Sequence, residues 1–370
     1  MEQDGVDGGV VVTASHNPAN YNGMKFVVQG ARPVTGESGL ADMAEMIARG
    51  PVETTALTPG VIRTFDNKKR YIEHLLSYVD VDDLRALKIV VNPGNGCAGL
   101  IVDLLEEWLP FVFIKLHNEP DGTFPNGVPN PLLPENREET ARAVLEYGAD
   151  FGIGWDGDFD RCFLWDEKGA FIEGYYVVGL LAEEMLRKAG GAKILYDPRL
   201  TWNSEERITA LGGEPVMTRT GHAFIKERMR RENAVYGGEM SAHHYFRDFG
   251  YCDSGMIPWL LVASILSRQD KPLSALVADM VAAFPVSGEI NSTVENPDEV
   301  IARIEQQYID GRKNYTDGLS VEYSTYRFNV RKSNTEPLLR LNVETRGSIS
   351  LLEQKTAELL QLIRGQVFTG

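Results

Sequence analysis

The residues able to do chemistry gather in four short stretches. The first is Thr13-Ala14-Ser15-His16-Asn17-Pro18, with Lys25 close behind. Ser15 leaves an apolar run, is flanked by hydrogen-bonding side chains, and is followed by a proline that stops regular structure. A serine that carries a phosphoryl group needs exposure, nearby donors and a cation, and Lys25 could supply the charge. The same residues also suit a plain turn in which Ser15 or Asn17 caps a helix. A hydrolase-type Ser–His pair fits poorly. Neighbours on an extended chain point opposite ways, and no Gly-x-Ser-x-Gly elbow surrounds Ser15.

The second stretch, Asp156-Gly157-Asp158-Phe159-Asp160-Arg161, alternates three carboxylates between two apolar runs. A divalent cation among them would relieve their repulsion, and hard oxygen ligands suit Mg²⁺ or Ca²⁺. An EF-hand fails, because Arg161 stands where glycine is needed and the flanks read as strands. A metal and Arg161 together could neutralise a transferring phosphoryl group; a solvated acidic turn is the plainer alternative. In the third stretch, Gly237 to His244, the residues Glu239, Ser241 and His243 alternate. An extended loop would set them on one side, where they suit sugar hydroxyls. His222 and Lys226 open a helix upstream and offer a proton-transfer group and a cation. Zinc has little support, since no further Cys or His stands at ligand spacing; a glycine turn beside a core histidine remains open. The fourth stretch holds Arg331, Ser333, Asn334 and Thr335 before Pro337. It reads either as an oxyanion cradle of forked cation, hydroxyls and amides or as an ordinary polar turn. Gly94-Asn95-Gly96-Cys97-Ala98-Gly99 matches a dinucleotide fingerprint, which makes an NAD-dependent dehydrogenase the rival enzyme. The acidic residue expected about 20 residues later falls in a Pro-rich loop, so a tight strand-to-helix turn is the better reading.

These stretches need scaffolding. Gly8 to Ala14 is a β-branched run that reads as a buried strand. Residues 39–49 read as a helix and 50–62 as a linker. Strands are expected at Leu87–Val91, Phe111–Leu116, Phe151–Trp155, Cys162–Trp165, Lys193–Tyr196 and Pro215–Thr218. Helices are expected at Asn67–Val79, Gly99–Trp108, Glu138–Tyr147, Val177–Lys188, Ser204–Leu211, His222–Arg231 and Ser254–Arg268. After Phe284-Pro285 come strand-like segments and a last helix, Ser350–Arg364, opened by a capping box at Ser350 and Glu353. That tail suggests a separate α+β domain.

With 370 residues, 43% hydrophobic and 24% charged, the composition is that of a globular protein of several domains. A net charge of −16 argues against nucleic-acid or anionic membrane surfaces. The scattered Cys97, Cys162 and Cys252 fit a reducing compartment, and with no signal peptide the expected location is cytoplasmic.

Taken together and in this order, the four stretches resemble the α-D-phosphohexomutases, and within them the bacterial phosphomannomutase/phosphoglucomutase group. The resemblance covers essentially the whole chain. It implies three α/β domains and a C-terminal α+β domain around a central cleft, divided as 1–62, 63–170, 171–284 and 285–370. It implies that Ser15 is the phosphorylated residue, with His16, Lys25, Arg161 and His222 in the chemistry. Asp156, Asp158 and Asp160, with Ser15, would hold Mg²⁺. Glu239, Ser241 and His243 match a sugar-reading loop, Arg331, Ser333, Asn334 and Thr335 a phosphate anchor, and Lys226 a substrate contact. Arg199 falls where some members have lysine. The implied reaction moves phosphate between positions 1 and 6 of mannose, and of glucose, through hexose 1,6-bisphosphate, in the supply of GDP-mannose. Two departures stand out. The family's N-terminal segment, with a Tyr-Asp-x-Arg-Gly motif, is absent, so the first domain is expected to be incomplete; a truncated relative that binds sugar phosphates without turning them over is the non-enzymatic alternative. Ala242 stands where many relatives have glycine, and His244 is an additional histidine.

Overall fold

A computed structural model of the protein describes residues 5–51, 58, 60–333 and 338–365. Four sheets follow one another along the chain. The first is antiparallel: β1 (Gly8–Val12), β2 (Met24–Val28) and β3 (Arg32–Pro33), followed by α1 (Ala41–Ala48). Its β1–β2 connection holds Ser15, and the register Val11↔Lys25 sets Lys25 at the base of that loop. β1 is not the buried strand its β-branched run predicts. Val10, Val11 and Val12 are 55%, 54% and 65% exposed. Composition records a liking for extended backbone, whereas burial depends on what is layered over the strand.

The second unit comprises α2 (Lys68–Leu76), β4 (Lys88–Asn92), α3 (Ala98–Glu106), β5 (Val112–Lys115), α4 (Glu138–Tyr147), β6 (Phe151–Trp155), β7 (Cys162–Trp165) and β8 (Phe171–Ile172). Its strand order is β5-β4-β6-β7-β8, parallel through β6 and antiparallel beyond. The third comprises α5 (Gly174–Ala189), β9 (Lys193–Tyr196), α6 (Trp202–Ala210), β10 (Glu214–Met217), α7 (His222–Glu232), β11 (Tyr236–Gly238), β12 (His244–Phe246), β13 (Cys252–Asp253), α8 (Ile257–Gln269) and α9 (Leu273–Ala283). Its order, β10-β9-β11-β12-β13, repeats that of the second sheet strand for strand, with the same change from parallel to antiparallel. The turn between β6 and β7 is the acidic stretch, and the turn between β11 and β12 is the Glu239–His243 stretch. The two acting turns therefore sit at equivalent places in two copies of one topology. A β-bridge between Arg161 and His243 joins them directly.

The last sheet is antiparallel, in the order β14 (Ile290–Thr293), β18 (Leu338–Thr345), β17 (Tyr326–Lys332), β16 (Leu319–Glu322), β15 (Arg312–Asn314). It is backed by α10 (Pro297–Gln307) and α11 (Ile349–Ile363) around a core of its own. The second and third units share one continuous core. There Trp259 of α8 packs edge-on against Phe111 and Phe113. The α11 cap differs from the sequence expectation: Ser348, not Ser350, accepts from the Leu351 amide, at 3.2 Å. Both serines have the right type, and the positive φ of Gly347 (64°) starts the helix early enough to favour Ser348. Among the described residues no helix is long and apolar enough to cross a membrane.

Candidate active site

Ser15 has φ 53°, a left-handed conformation that costs a non-glycine residue of order 1 kcal/mol or more. Its amide donates to Thr13 Oγ1 at 2.9 Å, and Thr13 Oγ1 donates to Asp158 at 2.8 Å. Ser15 Oγ lies 3.0 Å from His16 Nδ1 and 3.2 Å from Asp156 Oδ2. The serine loop and the acidic turn are thus pressed together. Gly157 allows it, since a Cβ there would lie 2.4 Å from the Ser15 carbonyl.

Asp156 is fully buried. It accepts from Arg161 Nε at 2.8 Å and from the Arg161 amide at 3.2 Å. Burial pushes its carboxyl above the ordinary range despite Arg161. Lys25 Nζ bridges Asp158 and Asp160 at 3.0 and 2.8 Å. Burial works against the Lys25 charge, yet Asp160 and Asp158 outweigh it and raise the pKa. Arg161 Nη2 donates to His16 Nδ1 at 2.5 Å. Burial, then Arg161, lowers His16 to about 4, so its imidazole is neutral at pH 7. Oxygens of Asp156, Asp158 and Asp160 lie within 4.8 Å of one another, forming a group able to hold a metal ion. Asp158 Oδ1 and Asp160 Oδ1 are buried and, among the described residues, have no hydrogen-bond partner. Hard oxygens of this kind fit a cation such as Mg²⁺.

The third stretch does not run extended. Ala242 adopts φ 71°, its amide returns to the Glu239 carbonyl at 3.0 Å, and the Glu239 amide pairs with the His243 carbonyl at 2.9 Å. The alternation that would set Glu239, Ser241 and His243 on one side is therefore broken by a tight turn. Glu239 accepts from Tyr245 Oη at 2.6 Å and the Gly221 amide at 3.1 Å. Ser241, at the tip, meets Arg199 Nη2 at 3.3 Å. His243 turns toward the acidic stretch: Nδ1 lies 3.2 Å from Asp253 and 3.8 Å from Asp160. Burial opposes its charge, but Asp160 and Asp253 raise it to about 8. Lys226 pairs with Asp253 at 2.7 Å. His222, the first residue of α7, is lowered by burial and then by Lys226. His244 is a core residue, its Nδ1 2.7 Å from Tyr236 Oη.

Arg199 is buried, its guanidinium held by Asp197 at 2.9 Å and close to Glu239 and Glu289. Arg331, at the end of β17, donates to Glu289 at 3.0 Å. Ser333 pairs through its amide with the Leu338 carbonyl at 2.9 Å. Asn334 and Thr335 lie outside the described residues.

Models of the phosphoglucomutase/phosphomannomutase family match in series: α/β/α domain I at residues 1–48, domain II at 69–169, domain III at 173–284 and the C-terminal domain at 289–361. The phosphomannomutase of Salmonella montevideo is 59% identical over 369 residues, 97% of this chain and 80% of that protein. That of Escherichia coli K12 is 57% identical over the same shares. The chain belongs to the phosphoglucomutase/phosphomannomutase family. Among solved structures, a phosphoglucomutase/phosphomannomutase family protein of Burkholderia thailandensis is 31% identical, with a TM-score of 0.85 over 97% of this chain and 76% of that one.

The dinucleotide fingerprint is spent on packing in this family member. A Cβ on Gly99 would lie 1.9 Å from the Asn118 carbonyl oxygen, on Gly96 2.9 Å from that of Gly157, and on Gly94 2.5 Å from Pro129. Close approach of other segments of the chain therefore accounts for all three glycines without a dinucleotide. Three carboxylates of the site escape the sequence reading: Asp197, Asp253 and Glu289. Each is a single acid in an unremarkable context; Asp197 pairs with Arg199 two residues on, whereas only the folded chain brings Asp253 and Glu289 to their cations.

Proposed function

We propose that this chain interconverts mannose 1-phosphate and mannose 6-phosphate, and the corresponding glucose phosphates, through phosphorylated Ser15 and a hexose 1,6-bisphosphate. The observation that carries the reading is the packing of Ser15 Oγ against Asp156 and His16, with the remaining carboxylates and Lys25 beside it. The family relatives named phosphomannomutase support the substrate. The same reading divides the chain after residues 62, 170 and 284, so that each domain delivers one loop. The free thiols Cys97, Cys162 and Cys252 support a cytoplasmic setting.

In this scheme the existing phosphate of the sugar rests on Arg331, Ser333, Asn334 and Thr335. Glu239, Ser241 and Arg199 hold ring hydroxyls, and Lys226 and His243 complete the wall toward the acidic turn. The free hydroxyl attacks the phosphoryl on Ser15: the bond from phosphorus to Ser15 Oγ breaks, a bond to the sugar oxygen forms, and the hydroxyl proton leaves to the imidazole of His16 or His222, while Lys25, kept charged by Asp160 and Asp158, neutralises the transferring group. The bisphosphate then turns end for end and returns its other phosphoryl to Ser15. Asp156, Asp158 and Asp160, with Ser15, would hold Mg²⁺, which supplies positive charge to the transferring group. Arg161 adds a fixed cation on the same flank, and the rest is positioning.

Mass spectrometry of the Ser15 peptide tests the scheme. Phosphate should load onto Ser15 from hexose 1,6-bisphosphate with Mg²⁺ and leave when sugar monophosphate is added. Ser15→Ala should fall to background turnover; an active alanine variant would sink the mechanism.

A further inference from the structure

Glu289 gathers three guanidiniums from two domains. Its Oε2 accepts from Arg331 Nη2 at 3.0 Å and lies 3.5 Å from Arg199 Nη1, while Oε1 lies 3.5 Å from Arg340 Nη1. The carboxylate is almost buried, at 11% exposure, in the segment that crosses from the third domain to β14. Arg331 and Arg340 stand directly opposite each other on β17 and β18. Like charges at facing positions repel, and Arg199 brings a third from the other side of the joint. Only a counter-charge between them lets all three point inward.

We propose that Glu289 is the positioning residue that registers the phosphate anchor against the sugar-reading turn, a role that rests on the function proposed above. The path is continuous: Ser241 to Arg199 at 3.3 Å, Arg199 to Glu289 at 3.5 Å, Glu289 to Arg331 at 3.0 Å. Glu289 uses one nitrogen of each guanidinium; of the others on Arg331, Nη1 lies 4.0 Å from Asp317 and Nε is buried with no hydrogen-bond partner among the described residues, which leaves it for an anion. It thereby fixes how far the ring-hydroxyl contacts lie from the phosphate. That spacing matters most when the bisphosphate turns over, because both ends must find their places again before the intermediate escapes.

The test compares wild type, Glu289→Gln and Glu289→Asp on the full chain. Glu289→Gln keeps the shape and removes the charge. KM for mannose 1-phosphate should rise about tenfold, the scale of one lost charge-assisted hydrogen bond, with a smaller fall in kcat. Steady turnover should also come to require added hexose 1,6-bisphosphate, because more intermediate is released. Glu289→Asp, which keeps the charge, should recover part of the loss. A Gln variant with wild-type KM and wild-type bisphosphate demand overturns the proposal, as does a loss confined to kcat and thermal stability. Calorimetry with inorganic phosphate separates the two readings: if wild type fails to turn over sugar phosphates, the mutase scheme falls, while Glu289 still stands or falls on whether Glu289→Gln binds phosphate more weakly.

Discussion

Gly157 is where the serine loop and the acidic turn touch, and a methyl group is enough to part them. Gly157→Ala places a carbon 2.4 Å from the Ser15 carbonyl, so the loop must move. A displacement near 1 Å can cost about 100-fold in rate. We expect that loss in phosphoryl transfer from Ser15, with little change in the thermal midpoint; equal losses of rate and stability would show a general packing fault instead. His244 makes a different prediction. Burial lowers its imidazole to about 3. Above 6.5 neither folded nor unfolded chain protonates it, so it contributes no pH dependence there. As pH falls from 6.5 toward 3, the unfolded chain takes a proton that the folded chain refuses. Stability then drops by as much as about 1.4 kcal/mol per pH unit from this one group. His244→Gln should flatten that acid arm in denaturant titrations between pH 6 and 4; an unchanged slope would assign it to other groups.

At the scale of elements, buried charge ties the third and fourth domains together. Glu344 of β18 is fully buried and accepts from Arg327 Nη1 at 2.8 Å, the Thr201 amide at 2.7 Å and Tyr175 Oη at 2.5 Å. Arg327→Met would strand that carboxylate, at a cost of about 3–5 kcal/mol. Urea unfolding should show the loss, and a variant within 0.5 kcal/mol of wild type, by the usual scale of surface changes, would refute it. Legibility differs sharply among the elements. Sequence and structure agree to the residue for β6, β7, β9 and α4, because unbroken apolar runs or strong helical periodicity leave one solution. The strands β3, β8 and β13 are two residues each, too short to carry a period, and were missed with β2, β11, β12, β15, α9 and α10. The site follows the same division. The three aspartates and Arg161 fall within one six-residue stretch, and Ser15 sits among hydrogen-bonding neighbours of its own, so each stretch could be singled out from the sequence. Asp253 and Glu289 act on residues distant in sequence, so nothing local marks them. The turn at Ala242 was misjudged because its positive φ falls on an alanine, a residue that gives no sign of a left-handed backbone.

Across the whole molecule, the proposed catalysis depends on bringing the serine loop, the acidic turn, the Glu239–His243 turn and Arg331 to one place while like charges are kept from pushing them apart. The acidic turn concentrates three carboxylates of a chain whose net charge is −16, with Lys25 and Arg161 answering locally. Chelation should therefore reduce turnover to background, and Mg²⁺ should restore it, while circular dichroism changes little because the core shared by the second and third domains is built from their strands and helices, with Phe159 the turn's contribution at its edge. Undiminished activity in excess chelator would remove the metal from the scheme. The matched strand orders of those two domains carry a further consequence. In the proposed scheme one hairpin position handles the phosphoryl group in one copy and reads the sugar in the other. Under that scheme the sugar accepted can be retuned at the tip of the second hairpin, around Ser241, while His243 at its end stays bridged to Arg161 and keeps the transfer turn in place. A duplicated scaffold of this kind makes new specificities accessible in few mutational steps.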